Sequence, residues 1–195
     1  MEYIVRRTVP ETGEFPTYML LDLNGATLLH ADQSQGPPPE SRRQIRLMRP
    51  GGRLLATIDV PPATVDEEEQ QRDYAIVHEY AVYAIVSVHF RQNAEGNGGP
   101  ERYFVLEVEG ETWLLLPHPE QKACYALYDE APAGLHTYET LTELDLPRHI
   151  GQFCRGDEGD EQALTVQLDT VRLAHTSLVV LALGLLIDQT ATALS

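Results

Sequence analysis

Five arginines, Arg42, Arg43, Arg46, Arg49 and Arg53, fall within twelve residues of an otherwise acidic chain. Guanidinium groups at that density bind phosphate or carboxylate oxygens through charge-assisted N–H···O bonds. If residues 44–49 are extended, Arg46 shares a face with Gln44 and opposes Ile45 and Leu47, so it points to solvent while they point to a core. Two partners compete for the cluster: a phosphate or lipid head group, and the carboxylates of neighbouring loops. The remaining reactive residue types form no catalytic set. Seven histidines are scattered as His30, His78, His89, His118, His136, His149 and His175, none in the HExxH spacing of zinc hydrolases. His118-Pro119-Glu120 reads as a solvated loop, and His175 as a hydrogen-bonded core residue. Ser177 lacks the Gly-x-Ser-x-Gly setting of an activated nucleophile. No glycine-rich phosphate loop is present. No catalytic residue and no cofactor is expected, and the chain reads as non-enzymatic.

Charge narrows the partners. Fourteen basic against thirty acidic residues give a formal charge of −16. That disfavours nucleic acid, which is held by neutralising phosphates. It also disfavours broad adhesion to an anionic membrane and leaves only a local basic patch for that role. Cys124 and Cys154 belong to no CxxC pair, so two reduced thiols in a cytoplasmic protein are expected, with neither zinc nor a disulfide. The opening Met1-Glu2-Tyr3-Ile4-Val5-Arg6-Arg7 shows no apolar run behind a basic start, and no secretory signal is expected.

The elements that must position these residues are mostly strands. With 43% hydrophobic residues in 195, the chain can bury one sizeable core, and residues 1–195 are expected to form one domain. Twelve β-rich runs recur between turn signals: 3–7, 17–22, 27–30, 44–49, 53–60, 74–77, 81–90, 102–109, 112–117, 123–129, 149–154 and 163–168. Asn24-Gly25 and Glu109-Gly110-Glu111 mark hairpins. The connections 33–43, 61–72 and 92–101 read as solvated loops, and 137–146 could hold a short helical turn.

After Leu168 the pattern changes. Asp169-Thr170 offers an N-cap, and a helix is expected from Val171 to Asp188. Its uninterrupted apolar stretch, Leu178 to Ile187, is ten residues, against about twenty for a membrane span. A helix apolar on every face has to be surrounded by protein. In a chain of strands the container is a closed sheet, and about twelve strands are wide enough to hold a helix. Gly184 would permit a close approach to that helix. Asp188 either has emerged into solvent or is held by donors at the barrel rim. Emergence is favoured, because Gln189 and Thr190 are polar and a buried unpaired charge is costly.

This pattern resembles the tubby C-terminal-like superfamily of tubby domains, phospholipid scramblases and LURP-one-related proteins. The resemblance lies in Tyr18-Met19-Leu20-Leu21-Asp22-Leu23-Asn24-Gly25, in Gly52-Arg53-Leu54-Leu55-Ala56-Thr57-Ile58, in Tyr125-Ala126-Leu127-Tyr128-Asp129 and Ile150-Gly151-Gln152-Phe153, and in the ending Leu183-Gly184-Leu185-Leu186-Ile187-Asp188. It implies a twelve-stranded antiparallel barrel closed around a hydrophobic C-terminal helix. It also implies binding of anionic phospholipid by basic residues near the first hairpin, where Arg6 and Arg7 fall. The acidic run Asp157-Glu158-Gly159-Asp160-Glu161 occupies the place of a proposed scramblase calcium loop. That run lacks the spaced ligands of an EF-hand, so no metal is expected from the residue pattern, and Asp157 and Asp160 are candidates by resemblance alone. The expected function is a non-enzymatic, non-transmembrane module in the cytoplasm or at a membrane periphery. Its partner is an anionic phospholipid head group, with a protein-interaction or scaffold role as the alternative.

Overall fold

The computed structural model describes residues 1–9, 16–35, 43–61, 72–91, 101–118, 120–121, 123–129, 148–156, 163–169 and 173–192. Twelve strands and a helix follow in order: β1 Glu2–Thr8, β2 Thr17–Leu21, β3 Thr27–Gln35, β4 Arg43–Met48, β5 Leu54–Asp59, β6 Arg72–His78, β7 Ala81–Arg91, β8 Glu101–Val108, β9 Glu111–Pro117, β10 Cys124–Tyr128, β11 His149–Arg155, β12 Ala163–Leu168 and α1 Thr176–Thr192. Each strand pairs antiparallel with its sequence neighbours, and β1 closes on β12 from Glu2↔Gln167 to Arg6↔Ala163. The expected closed barrel around a C-terminal helix is what forms.

Strand alternation builds the interior. Ala56 and Ile58, Tyr74 and Ile76, Phe104 and Leu106, and Leu164 and Val166 all face inward. They surround α1, whose residues Leu178 to Ile187 are buried on every side. Each such Leu, Val or Ile contributes roughly 1.5–3 kcal/mol on transfer from water. That all-round demand makes the barrel close on the helix. At Gly184 the helix lies close against β1: a Cβ there would sit 2.8 Å from Val5 Cγ2. Strand β9 is buried on both faces, because Leu114 and Leu116 join Tyr103, Ala126 and Tyr128 in a second apolar cluster on the outer wall.

Three expectations need correction. The helix starts at Thr176, not Val171, and runs to Thr192, past Asp188. Leu173 to His175 form a turn whose His175 carbonyl accepts the first amides, from Leu178 and Val179, so Asp169 lies well before the helix, and Thr170 lies outside the described residues. Second, Cys124 and Cys154 are not free thiols. They are register partners across β10 and β11 with Cα atoms 4.1 Å apart, and they form a disulfide. Spacing along the chain could not show that pairing. Third, β3 extends to Gln35, so the first residues of the supposed loop 33–43 are strand. The proposed helical turn at 137–146 lies outside the described residues. Among the described residues, no helix is long and apolar enough to cross a membrane.

Candidate functional site

The two ends of the barrel carry different chemistry, and strand direction decides which residues reach each end. The C-terminal end of α1 meets the start of the β1–β2 connection. Val5 and Arg7 alternate inward on β1 while Arg6 points out. Gly184 and Asp188 share one helix face. Four helical residues rise about 6 Å and two strand residues about 6.6 Å, so Gly184 lies against Val5 and Asp188 against Arg7. Inward parity on β11 brings Arg155 to the same rim.

Asp188 is therefore buried, 7% exposed, and not emergent as the polar residues after it suggested. Its carboxylate accepts a hydrogen bond from the Tyr18 hydroxyl at 2.9 Å. Arg7 Nε and Arg155 Nη2 lie 3.5 Å from its two oxygens. Both nitrogens are buried and outside hydrogen-bonding geometry. A void of about 10 Å³ between these groups has the room of a single water. Burial raises the Tyr18 phenol well above its ordinary range, and the adjacent Asp188 charge adds to the shift. This cluster is a charged lock joining helix to wall.

The other end, around the helix N-terminus, is open among the described residues. Four short turns among the described residues lie there: 22–26 between β2 and β3, 49–53 between β4 and β5, Glu79-Tyr80 between β6 and β7, and Glu109-Gly110 between β8 and β9. In the first, Asp22 Oδ1 accepts the amides of Asn24 and Ala26, and Gly25 takes φ +80°. The β6–β7 turn has no such chemistry. Glu79 and Tyr80 hold φ of 49° and 66° without glycine, a strain of order 1–3 kcal/mol per residue. Tyr80 is fully exposed there. A groove of about 450 Å³ opens between this turn and the 49–53 turn, lined by Arg49, Arg53, Leu55, His78, Tyr80 and His175. A second hollow of about 440 Å³ shares Arg49, Leu55 and His175 and reaches the first turn of α1.

The groove floor is fixed by packing. His78 Nδ1 lies 2.7 Å from the Leu55 carbonyl oxygen. The His175 ring meets His78 at 4.4 Å and Tyr83 at 5.3 Å, both edge-on. Glu109 Oε1 accepts the Tyr83 hydroxyl at 2.8 Å and the Ala174 amide at 3.1 Å, which anchors the chain as it enters the helix. Burial, then the Glu109 hydrogen bond, pushes the Tyr83 phenol up to about 12.

The arginine cluster does not act as one patch. Arg46 is outward as expected, but Asp32 takes it in a bidentate pair at 2.8 Å. Arg42 lies outside the described residues, and of Arg43 only its place at the start of β4 is described. Arg6 and Arg7 are separated by strand parity, Arg6 to the outer wall and Arg7 to the Asp188 lock. Arg49 and Arg53 flank one turn at the open end, both exposed. Among the described residues no ion pair or side-chain hydrogen bond engages either of them. Asp157 and Asp160 lie outside the described residues. His118 Nδ1 accepts the Glu120 and Gln121 amides, so that nitrogen is consumed by its own turn. Sequence reading missed His78 and His175 as groove residues and Tyr18 as the partner of Asp188. Inward parity of Tyr18 with Leu20 was the only signal for the latter.

No protein-family model matches the chain, and no curated protein matches it.

Proposed function

We propose that this chain is a non-enzymatic binding module of tubby-like type that docks on anionic phospholipid surfaces with the open end of its barrel. One juxtaposition carries the reading. Arg49 and Arg53, unengaged among the described residues, share that end with the exposed apolar side chains Leu23 (63%), Leu54 (54%), Tyr80 (105%) and Val82 (60%). Apolar tips beside cations suit a lipid interface, where the tips enter the acyl boundary and guanidinium groups meet phosphate oxygens. Tyrosine, with an apolar body and a polar tip, favours that depth. The closed barrel around a hydrophobic helix supports the superfamily resemblance that first suggested the partner. The overall charge of −16 keeps the attraction local and sensitive to salt.

Sedimentation with phosphatidylcholine vesicles containing or lacking phosphatidylglycerol tests the proposal. Wild type should pellet only with the anionic vesicles. At about 1 kcal/mol per basic residue near the surface, Arg49→Ala/Arg53→Ala should weaken binding roughly thirtyfold. Arg46→Ala, whose guanidinium is held by Asp32, should change it less than about twofold. Equal, negligible pelleting with both vesicles would refute lipid docking. A protein partner whose binding survives the double substitution would instead favour a scaffold role.

A further inference from the structure

Docking by arginines and apolar tips does not by itself require the two imidazoles in the groove. The short approach of His78 Nδ1 to the Leu55 carbonyl assigns the ring hydrogen to Nδ1, leaving Nε2 as the nitrogen that gains a proton. His175 packs against it at 4.4 Å. Histidine is the side chain whose charge changes between pH 5 and 8. The charged groups around the pair are of both signs. Glu79 Oε1 lies 3.9 Å from His78 Nε2. Glu109 holds Tyr83 and Ala174 beside His175. Arg49 and Arg53 line the same groove, and the positive end of α1, whose first turn carries no acidic residue, follows His175 directly. An anion held in the groove would meet these positive groups together with the two rings.

We infer that His78 and His175 are the proton-coupled part of a head-group site, so that the groove takes a phosphodiester anion more tightly as the medium becomes acidic. The inference rests on the docking reading above. Binding and protonation are linked: whatever the anion does to favour the imidazolium, the imidazolium does to favour the anion. One added charge about 6 Å from a phosphate, at a dielectric between those of protein surface and water, changes affinity roughly tenfold.

Phosphatidylglycerol vesicles test this, because the lipid phosphodiester keeps its charge between pH 5.5 and 7.5. Wild type should bind about tenfold more tightly at pH 5.5. His78→Asn/His175→Gln should flatten the dependence, the Asn amide retaining a donor for the Leu55 carbonyl. His149→Gln, an exposed histidine on β11, should leave it intact, which separates the groove from the general loss of negative charge. A measurement on unaltered protein stands beside the variants: calorimetric titration with sodium sulfate in two buffers of different ionisation heat should show proton uptake on binding. Equal vesicle binding at both pH values, or sulfate binding without proton uptake, overturns the inference and leaves docking standing. No vesicle binding at either pH overturns both. Sulfate binding with proton uptake but no vesicle binding assigns the site to a free anion and overturns the lipid head group.

Discussion

Replacing Asp188 with alanine tests whether the helix is locked to the barrel or merely enclosed by it. The substitution removes the acceptor of the Tyr18 hydroxyl, a bond of 2.9 Å between a fully buried phenol and a carboxylate. A hydrogen bond to a charged group contributes about 1.5–3 kcal/mol. It also leaves Arg7 Nε and Arg155 Nη2 facing a void with no counter-charge among the described residues. Loss of one partner of a fully buried pair costs about 3–5 kcal/mol. The two arginine side chains are 25% and 34% exposed, however, so water screens much of that term. The combined expectation for Asp188→Ala is about 2–4 kcal/mol, a large share of a stability that is typically about 5–15 kcal/mol. Asp188→Asn, which still accepts from Tyr18, should cost about 1–2 kcal/mol less. Tyr18→Phe should cost about 1–2 kcal/mol, because the carboxylate keeps its arginines. Urea unfolding followed by Trp113, buried on β9 and the one tryptophan in the chain, reads all three. The urea midpoint should fall with an unchanged slope. An Asp188→Ala protein within 0.5 kcal/mol of wild type would mean a solvated carboxylate and would refute the lock.

Two further outcomes follow from the same contacts. Tyr18, Tyr74, Tyr83 and Tyr125 all have phenols raised by burial, Tyr83 to about 12. A folded value above the unfolded value near 10 gives stability that is complete below pH 10 and is lost as pH rises toward 12 and beyond. The urea midpoint should therefore drop between pH 10 and 12, with tyrosinate absorbance appearing in step with unfolding; a single ionisation of all nine tyrosines near pH 10 with a flat midpoint would contradict it. The Cys124–Cys154 disulfide closes a separation of 30 residues, so reduction should cost up to about 3–4 kcal/mol. Alkylation in denaturant should label neither cysteine until a reductant is added, and two labels without reductant would show that the bond does not form.

Much of the architecture was legible in one dimension because it rests on local periodicity. Twelve alternating runs separated by turn residues gave the strands, and ten apolar residues, too few to span a bilayer, required a closed container for the helix. The alternation around Ile45 and Leu47 placed Arg46 outward. The start of the helix was not legible. Asp169-Thr170 is a sound capping signal, but the chain has to cross from β12 to the barrel axis, and Glu109 holds Ala174 in a turn just before α1.

What the tertiary structure decided were encounters between residues far apart in the chain. Asp188 is followed by polar residues and so reads as emergent, yet Tyr18 lies 170 positions away and donates to it. Cys124 and Cys154 read as isolated thiols until β10 and β11 align them in register. Five clustered arginines read as one patch, but strand geometry gives Arg46 to Asp32 and sends Arg49 and Arg53 to the open end beside two histidines. Sequence alone determined which residues must be covered, because hydrophobic burial follows a local period. Which charges meet depends on strand register and barrel closure, and only the folded chain sets those.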